Sequence, residues 1–296
     1  MFKKELTDNN KAFIAILLAA FLGGGVPVLI KIALKEIPPL SFTFLRFFSA
    51  AIFILPFFLR NKPLIGKNIH KLIFISILAS VNVTLFAFGI RLTSATVGQT
   101  LHTSIPIIAA VLSYFLLKEK ITKKKSLGIL VGFIGTSVII FLPMMGNVNF
   151  LQSSLIGNII IFIGAVSFSF YLVMSKKLHE NFSPFYLTTI FVLTTIVIQF
   201  FLASTEFISN PQWLFKISMG GLLATLYVGV IGTFIYYLLY QYAIKHGSPI
   251  IASMTLYLQP AATFIWALLL LNERLTTGFI IGAILVFIGV WITSRS

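Results

Sequence analysis

The sequence predicts an all-α integral membrane protein: ten transmembrane helices in two inverted five-helix repeats, with both termini in the cytoplasm. Three observations predict it. The chain is 58% hydrophobic and 10% charged, with a mean hydropathy of +1.02, whereas soluble domains carry roughly 25% charge. Its apolar residues fall into ten runs near the spanning length of about 17–25 residues. Residues 85–138 also reappear, without a gap, 154 positions later. Apolar matches are cheap in such a chain. The pairs Pro106/Pro260, Glu119/Glu273, Thr122/Thr276, Gly128/Gly282 and Gly135/Gly289, all in one register, are not.

The runs are 12–34, 39–59, 70–90, 95–117, 125–142, 154–175, 184–203, 217–243, 248–271 and 277–293. They are too long and continuous for barrel strands, and an open sheet cannot satisfy its backbone in hydrocarbon. The first run follows Lys3, Lys4 and Lys11. It exceeds the roughly 7–15 residue core of a signal peptide and no small-residue cleavage pattern follows, so it is read as a retained helix. Gly23-Gly24-Gly25 and Pro27 near its middle predict a hinge or a close-packing face, with Gly24 marked as a helix break. No Gly-Lys-Ser/Thr follows, so this is no phosphate loop.

The second run contains Arg46, the one charge clearly inside a run. It sits about 10 Å of helix rise from the outer end and is expected to snorkel outward or hold freed carbonyls, with a functional role as the alternative. The third run supplies Asn82. The fourth places Gln99, His102, Thr103 and Pro106 on one helical face. Pro106 and its repeat mate Pro260, in the ninth run, are expected to break their helices and free the carbonyls of His102 and Leu256. Paired midplane breaks point to a transport site; a packing kink is the simpler alternative.

Gly128 and Gly132 in the fifth run, and Gly278 and Gly282 in the tenth, have the spacing of helix-packing faces. The sixth run offers Ser167 and Tyr171, weaker candidates. The eighth run holds Tyr227, Tyr236, Tyr237, Tyr240, Gln241 and Tyr242. An aromatic belt explains Tyr240 and Tyr242, while Tyr236 lies deeper and aligns with Asn82. The ninth run adds Ser253, Tyr257 and Gln259. The expected substrate-binding set is therefore Asn82, Gln99, His102, Thr103, Tyr236, Tyr240, Tyr257 and Gln259. His102 is also the candidate for proton coupling, because imidazole titrates near pH 6.5; a structural, permanently neutral histidine is the alternative.

The formal charge of +15 sits mainly in short loops, so it reads as a topology signal rather than a nucleic-acid footprint. With the N-terminus inside, sixteen Lys and Arg fall on the cytoplasmic side and five outside. Five helices per half then force the second copy to enter inverted. The halves are 1–147 and 148–296. There are no cysteines, which excludes disulfides, thiolate metal sites and lipidated cysteines. None of the seven acidic residues lies in the membrane core. That argues against a cation-drug exporter with a buried carboxylate and against metal transport; no metal or cofactor is expected. Glu119 and Glu273, at helix ends near water, are read as structural or hinge residues.

The chain resembles the EamA-type, ten-helix members of the drug/metabolite transporter superfamily. The likeness rests on Pro38-Pro39, Phe44-Leu-Arg46-Phe47, Gly89-Ile-Arg91, Ser94-Ala95, Ile105-Pro106 and Leu117-Lys-Glu119-Lys-Ile-Thr122. In the second half it rests on Ser248-Pro249, Leu258-Gln259-Pro260 and Leu271-Asn-Glu273-Arg274-Leu-Thr276. It covers nearly the whole chain. Lys118 and Asn272 stand where the family commonly has a small residue before the Glu, and the family's first-helix Trp is missing. The resemblance implies a multi-pass permease of the cytoplasmic membrane. It would move small organic metabolites such as amino acids by alternating access, as an exporter. An uptake permease or facilitated-diffusion carrier is the alternative, and a lipid-substrate enzyme or non-transporting receptor is further off. Its partners would be a small-molecule substrate and membrane lipids, with no nucleic acid, in a monomer or homodimer.

Overall fold

The computed structural model describes residues 8–60, 68–118, 122–141, 154–178, 181–236, 239, 249–273 and 277–294. The expected boundary between the halves, at 147/148, lies outside them. All regular structure among the described residues is helical. In the first half these are α1 (Asp8–Ala33), α2 (Pro39–Arg60), α3 (Ile69–Leu92), α4 (Ala95–His102), α5 (Ile105–Leu117) and α6 (Lys123–Phe141). In the second half α7 (Leu155–Leu178) and α8 (Pro184–Ser209) precede a 3₁₀ turn, Pro211–Lys216. Then come α9 (Met219–Leu226), a π-helical stretch (Tyr227–Ile235), α10 (Pro249–Leu271) and α11 (Thr277–Ser294).

Five spans are long and apolar enough to cross a bilayer: Pro39–Arg60, Ile69–Leu92, Ala95–Leu116, Leu155–Ser175 and Phe185–Ser209. Shorter apolar helices lie at Leu17–Ala33, Ser126–Ile139, Met219–Ile235, Gln259–Leu271 and Thr277–Gly289. Each overlaps one of the ten apolar runs. The burial pattern is inside out relative to a soluble protein. Phe57, Phe133, Phe201 and Leu269 are more than half exposed, while Ser76, Asn158, Thr195 and Gln199 are fully buried. Hydrocarbon covers such a surface at no cost, whereas buried polar groups need partners.

The packing crosses between the halves. α1 lies on α10, α2 on α8, α3 on α7 and α6 on α11. α7 in turn lies on α4 and α5, as α1 lies on α10. Between α6 and α11 the backbones approach directly. A Cβ on Gly135 would lie 2.6 Å from the Val286 amide and 2.7 Å from the Gly282 carbonyl. The packing face thus runs through Gly132, Gly135, Gly282 and Gly289, with Gly128 contributing its carbonyl.

Two positions 154 residues apart share an unusual backbone conformation. Lys118 (φ 57°) and Asn272 (φ 54°) are the non-glycine residues with positive φ among the described residues, and they end α5 and α10. They are repeat mates. A left-handed residue terminates a helix and turns the chain out; glycine enters that region at no steric cost. Here Lys118 and Asn272 hold it instead, so the conformation persists in both copies without the favoured residue.

The three expected helix breaks differ in outcome. The fourth run is two helices, and the break lies at Thr103–Ser104, ahead of Pro106. Pro106 is the second residue of α5, where its missing N–H has no intrahelical partner to lose. The break closes on itself. The amides of Thr103 and Ser104 reach back to the carbonyls of Thr100 and Leu101 (3.0 and 3.1 Å). Their hydroxyls donate to the same two carbonyls, each at 2.6 Å. α1 and α10, by contrast, run on through Gly24 and Pro260. Gly24 serves close packing instead: a Cβ there would lie 2.5 Å from that of Ala262.

Candidate functional site

At the break one side chain is less buried than those before it. From Ala95 to Leu101 every residue of α4 is buried, but His102 is only half-buried. Its Nε2 lies 3.2 Å from Asn82 Nδ2, and the Phe86 ring centroid is 4.4 Å from its own. Asn82 and Phe86 are one turn apart on α3 and both buried, at 3% and 6% exposure. With an amide Nδ2 toward the ring, Nε2 must accept, so neutral imidazole carries its proton on Nδ1. Protonating His102 would set donor against donor, and the Asn82 amide would have to turn its oxygen in. Charge and site geometry are therefore linked at this pair.

A second group lies along α1. A Cβ on Gly23 would sit 2.7 Å from Gln259 Nε2 and 2.8 Å from the Tyr236 ring. Gly23 thus lets Tyr236 and Gln259 close against the α1 backbone. α10 brings Gln259 here and also packs on α4. Tyr236 follows directly on the π-helical stretch, a widened turn that recurs at functional sites. Within that stretch Thr233 Oγ1 donates to the Val228 carbonyl (3.0 Å). Gly229 allows α2 so near that a Cβ there would lie 2.6 Å from the Arg46 carbonyl.

Arg46 does not snorkel. It is 9% exposed, its Nε donates to Thr233 Oγ1 (3.0 Å), and its guanidinium lies 5.3 Å from the Phe47 ring centroid. Thr233 is three residues before Tyr236, so the cation stands beside the second group.

Of the expected binding residues, the structure brings Asn82 to His102, and Tyr236 to Gln259. Gln99 is buried one turn before His102. Thr103 spends its hydroxyl on the helix break. Tyr240 lies outside the described residues, as does the side chain of Tyr257. Ser167 donates to the Leu78 carbonyl (2.8 Å), and Tyr171 packs between Phe168 and Phe191; both serve packing.

Sequence reading missed how the carboxylates are used. Glu273 is buried, at 7% exposure, rather than near water. Its Oε1 accepts the Ala95 amide (2.7 Å) and its Oε2 the Thr96 amide (3.1 Å) and hydroxyl (2.7 Å). Glu206 receives the Leu40 amide and the Ser41 amide and hydroxyl at the start of α2. Glu36 receives the Ser218 amide and hydroxyl, both at 2.8 Å, at the start of α9. Those donors, the amide first, hold the Glu36 carboxyl below its ordinary value of 4.5, so it is ionised at neutral pH. Each acid satisfies orphan amides at a helix start. The available signal was Ser or Thr at three helix starts with no acid in the following turn.

The EamA-like transporter family matches this sequence at residues 10–141 and 155–295. The uncharacterized transporter YoaV of Bacillus subtilis (strain 168) is 24% identical over 96% of this chain and 97% of its own. An uncharacterized transporter of Clostridium kluyveri is 28% identical over 95% and 92%. The WAT1-related protein At1g43650 of Arabidopsis thaliana is 26% identical over 96% and 90%. A solved crystal structure, 16% identical, aligns over 96% of each chain with a TM-score of 0.61. That last likeness is one of fold.

Proposed function

The chain belongs to the EamA-like transporter family and is a multi-pass membrane transporter; from that premise we propose that it is a secondary transporter exporting small organic metabolites, such as amino acids, across the cytoplasmic membrane. The observation that carries this reading is the broken span. α4 ends at His102, in contact with Asn82 and Phe86, where helices of both halves meet. A helix broken at mid-depth, against protein rather than lipid, is how transporters build a solute site. Tyr236 and Gln259 supply the second wall, aromatic and amide, suited to a solute with apolar and polar parts.

The ten runs, the cross-half packing and the paired left-handed residues support two inverted five-helix repeats. The charge split supports cytoplasmic termini. Alternating access follows as rocking of one half against the other. His102 is the proton-coupling candidate, because its ionisation would re-aim the Asn82 amide.

The cysteine-free chain gives a direct test of access. A single cysteine placed by Phe86→Cys should react with an impermeant thiol reagent from each side of the membrane, and transported solute should slow both reactions. Reaction from one side alone, in a protein that still transports, would overturn the reading.

A further inference from the structure

We infer that Glu273 is the bolt of the outer gate, and that the protein rests with its outer end shut and its cytoplasmic end open; this rests on the transport reading above. Glu273 ends α10, in the second half, yet it holds the start of α4, in the first, through three donors. Lys31, from the end of α1, lies 3.7 Å from Glu273 Oε1 and donates to the Thr93 carbonyl (2.7 Å). One buried carboxylate therefore ties three elements. Glu206 at the start of α2 and Glu36 at the start of α9 lie at the same end, and each also binds a helix start of the opposite half. The outer end cannot open while these contacts hold. Hydrogen bonds to a charged, desolvated acceptor are the strong ones, and freeing them leaves a carboxylate and amides without partners.

For a matching bolt at the opposite end the sequence offers poorer chemistry. In the 154-residue register of the sequence Glu119, which lies outside the described residues, is the mate of Glu273, and Pro249 and Ile250 are the mates of Ala95 and Thr96. Pro249 has no N–H and Ile250 no hydroxyl. Of the three donors that hold Glu273, only one amide has a counterpart. A cleft of about 770 Å³ also opens at that end, between the start of α3 and the ends of α5 and α7, lined by Asn68, Lys71, Leu116 and Leu178. The asymmetry thus lies in the sequence: three donors hold Glu273, and the matching inner positions offer one amide.

The test uses the Phe86→Cys reporter and compares its reaction rates from the two sides. Glu273→Gln keeps the shape but removes the charge and turns a donor toward the amides. It should raise the outside-to-inside ratio about ten-fold, the effect of roughly 1.4 kcal/mol. Glu119→Gln should change the ratio far less. Should Glu273→Gln fail to fold, Ile250→Thr supplies the missing hydroxyl at the inner start and should move the ratio in the same direction. An unchanged ratio in folded Glu273→Gln, or in Ile250→Thr, overturns the bolt while leaving the site in place. A reporter unreachable from either side in every variant overturns the site reading itself, and the bolt with it.

Discussion

Replacing His102 by alanine is expected to lower transport about ten-fold or more while the protein still folds and reaches the membrane. Removing the imidazole leaves the Asn82 amide, 3% exposed, without its ring partner. A buried polar group left unsatisfied costs roughly 1–3 kcal/mol. Part of that loss falls on stability, so melting in detergent must be recorded beside flux. Tyr236→Phe removes only a hydroxyl, with the ring still packed against Gly23, and should impair flux with less effect on stability. His102→Gln separates binding from coupling. It can still hydrogen-bond to Asn82 but cannot titrate. If transport is proton-driven through His102, this variant loses its response to an imposed pH gradient and keeps exchange of solute without one. Arg46 cannot replace it, since a guanidinium keeps its charge throughout the pH range in which a transporter works. An unchanged gradient response would remove His102 from the coupling step, and normal flux in both His102→Ala and Tyr236→Phe would move the site elsewhere.

The largest expected effect on folding comes from Gly289→Leu. A Cβ at this position would lie 2.7 Å from the Gly128 carbonyl and closer still to the Gly132 backbone. No rotamer relieves a clash with backbone, so α6 and α11 must separate. Overpacking typically costs about 1–3 kcal/mol, and a backbone clash belongs at or above the top of that range. Small residues let membrane helices approach, and van der Waals contact then holds them together. The variant should melt far lower than wild type or elute as aggregate. Gly220→Ala is the control, because a Cβ there would meet nothing nearer than the Ser218 hydroxyl at 3.4 Å. Equal melting temperatures for Gly289→Leu and wild type would show that this interface does not hold the halves.

What was legible in the sequence was what repeats or accumulates along it. Ten apolar runs marked the helices because hydrocarbon selects on composition over a whole span. The 154-residue register foreshadowed the paired left-handed ends at Lys118 and Asn272. The cluster of polar residues in the fourth run marked the place where that span divides. Its mechanism was not legible. A proline at position 106 reads equally as a kink or as a helix start, and the choice was made by the hydroxyls of Thr103 and Ser104, which close the preceding turn. Pro260 and Gly24 obey the same local rules yet sit in unbroken helices, because α1 and α10 are packed along each other. The carboxylate caps stayed hidden because donor and acceptor are far apart in the chain: 166 positions from Leu40 to Glu206 and 182 from Glu36 to Ser218. Arg46 and Thr233, 187 apart, escaped for the same reason.

Whether solute crosses the protein between its halves is tested most directly by a flux measurement in proteoliposomes. Purified protein, reconstituted and loaded with amino acids or other small metabolites, should exchange at least one labelled solute across the membrane with saturable kinetics. The same solute should protect the Phe86→Cys reporter, and flux should fall about ten-fold or more in His102→Ala. Saturable flux that is indifferent to both His102→Ala and Tyr236→Phe, or no saturable flux with any solute class by folded protein, would contradict a crossing between the halves.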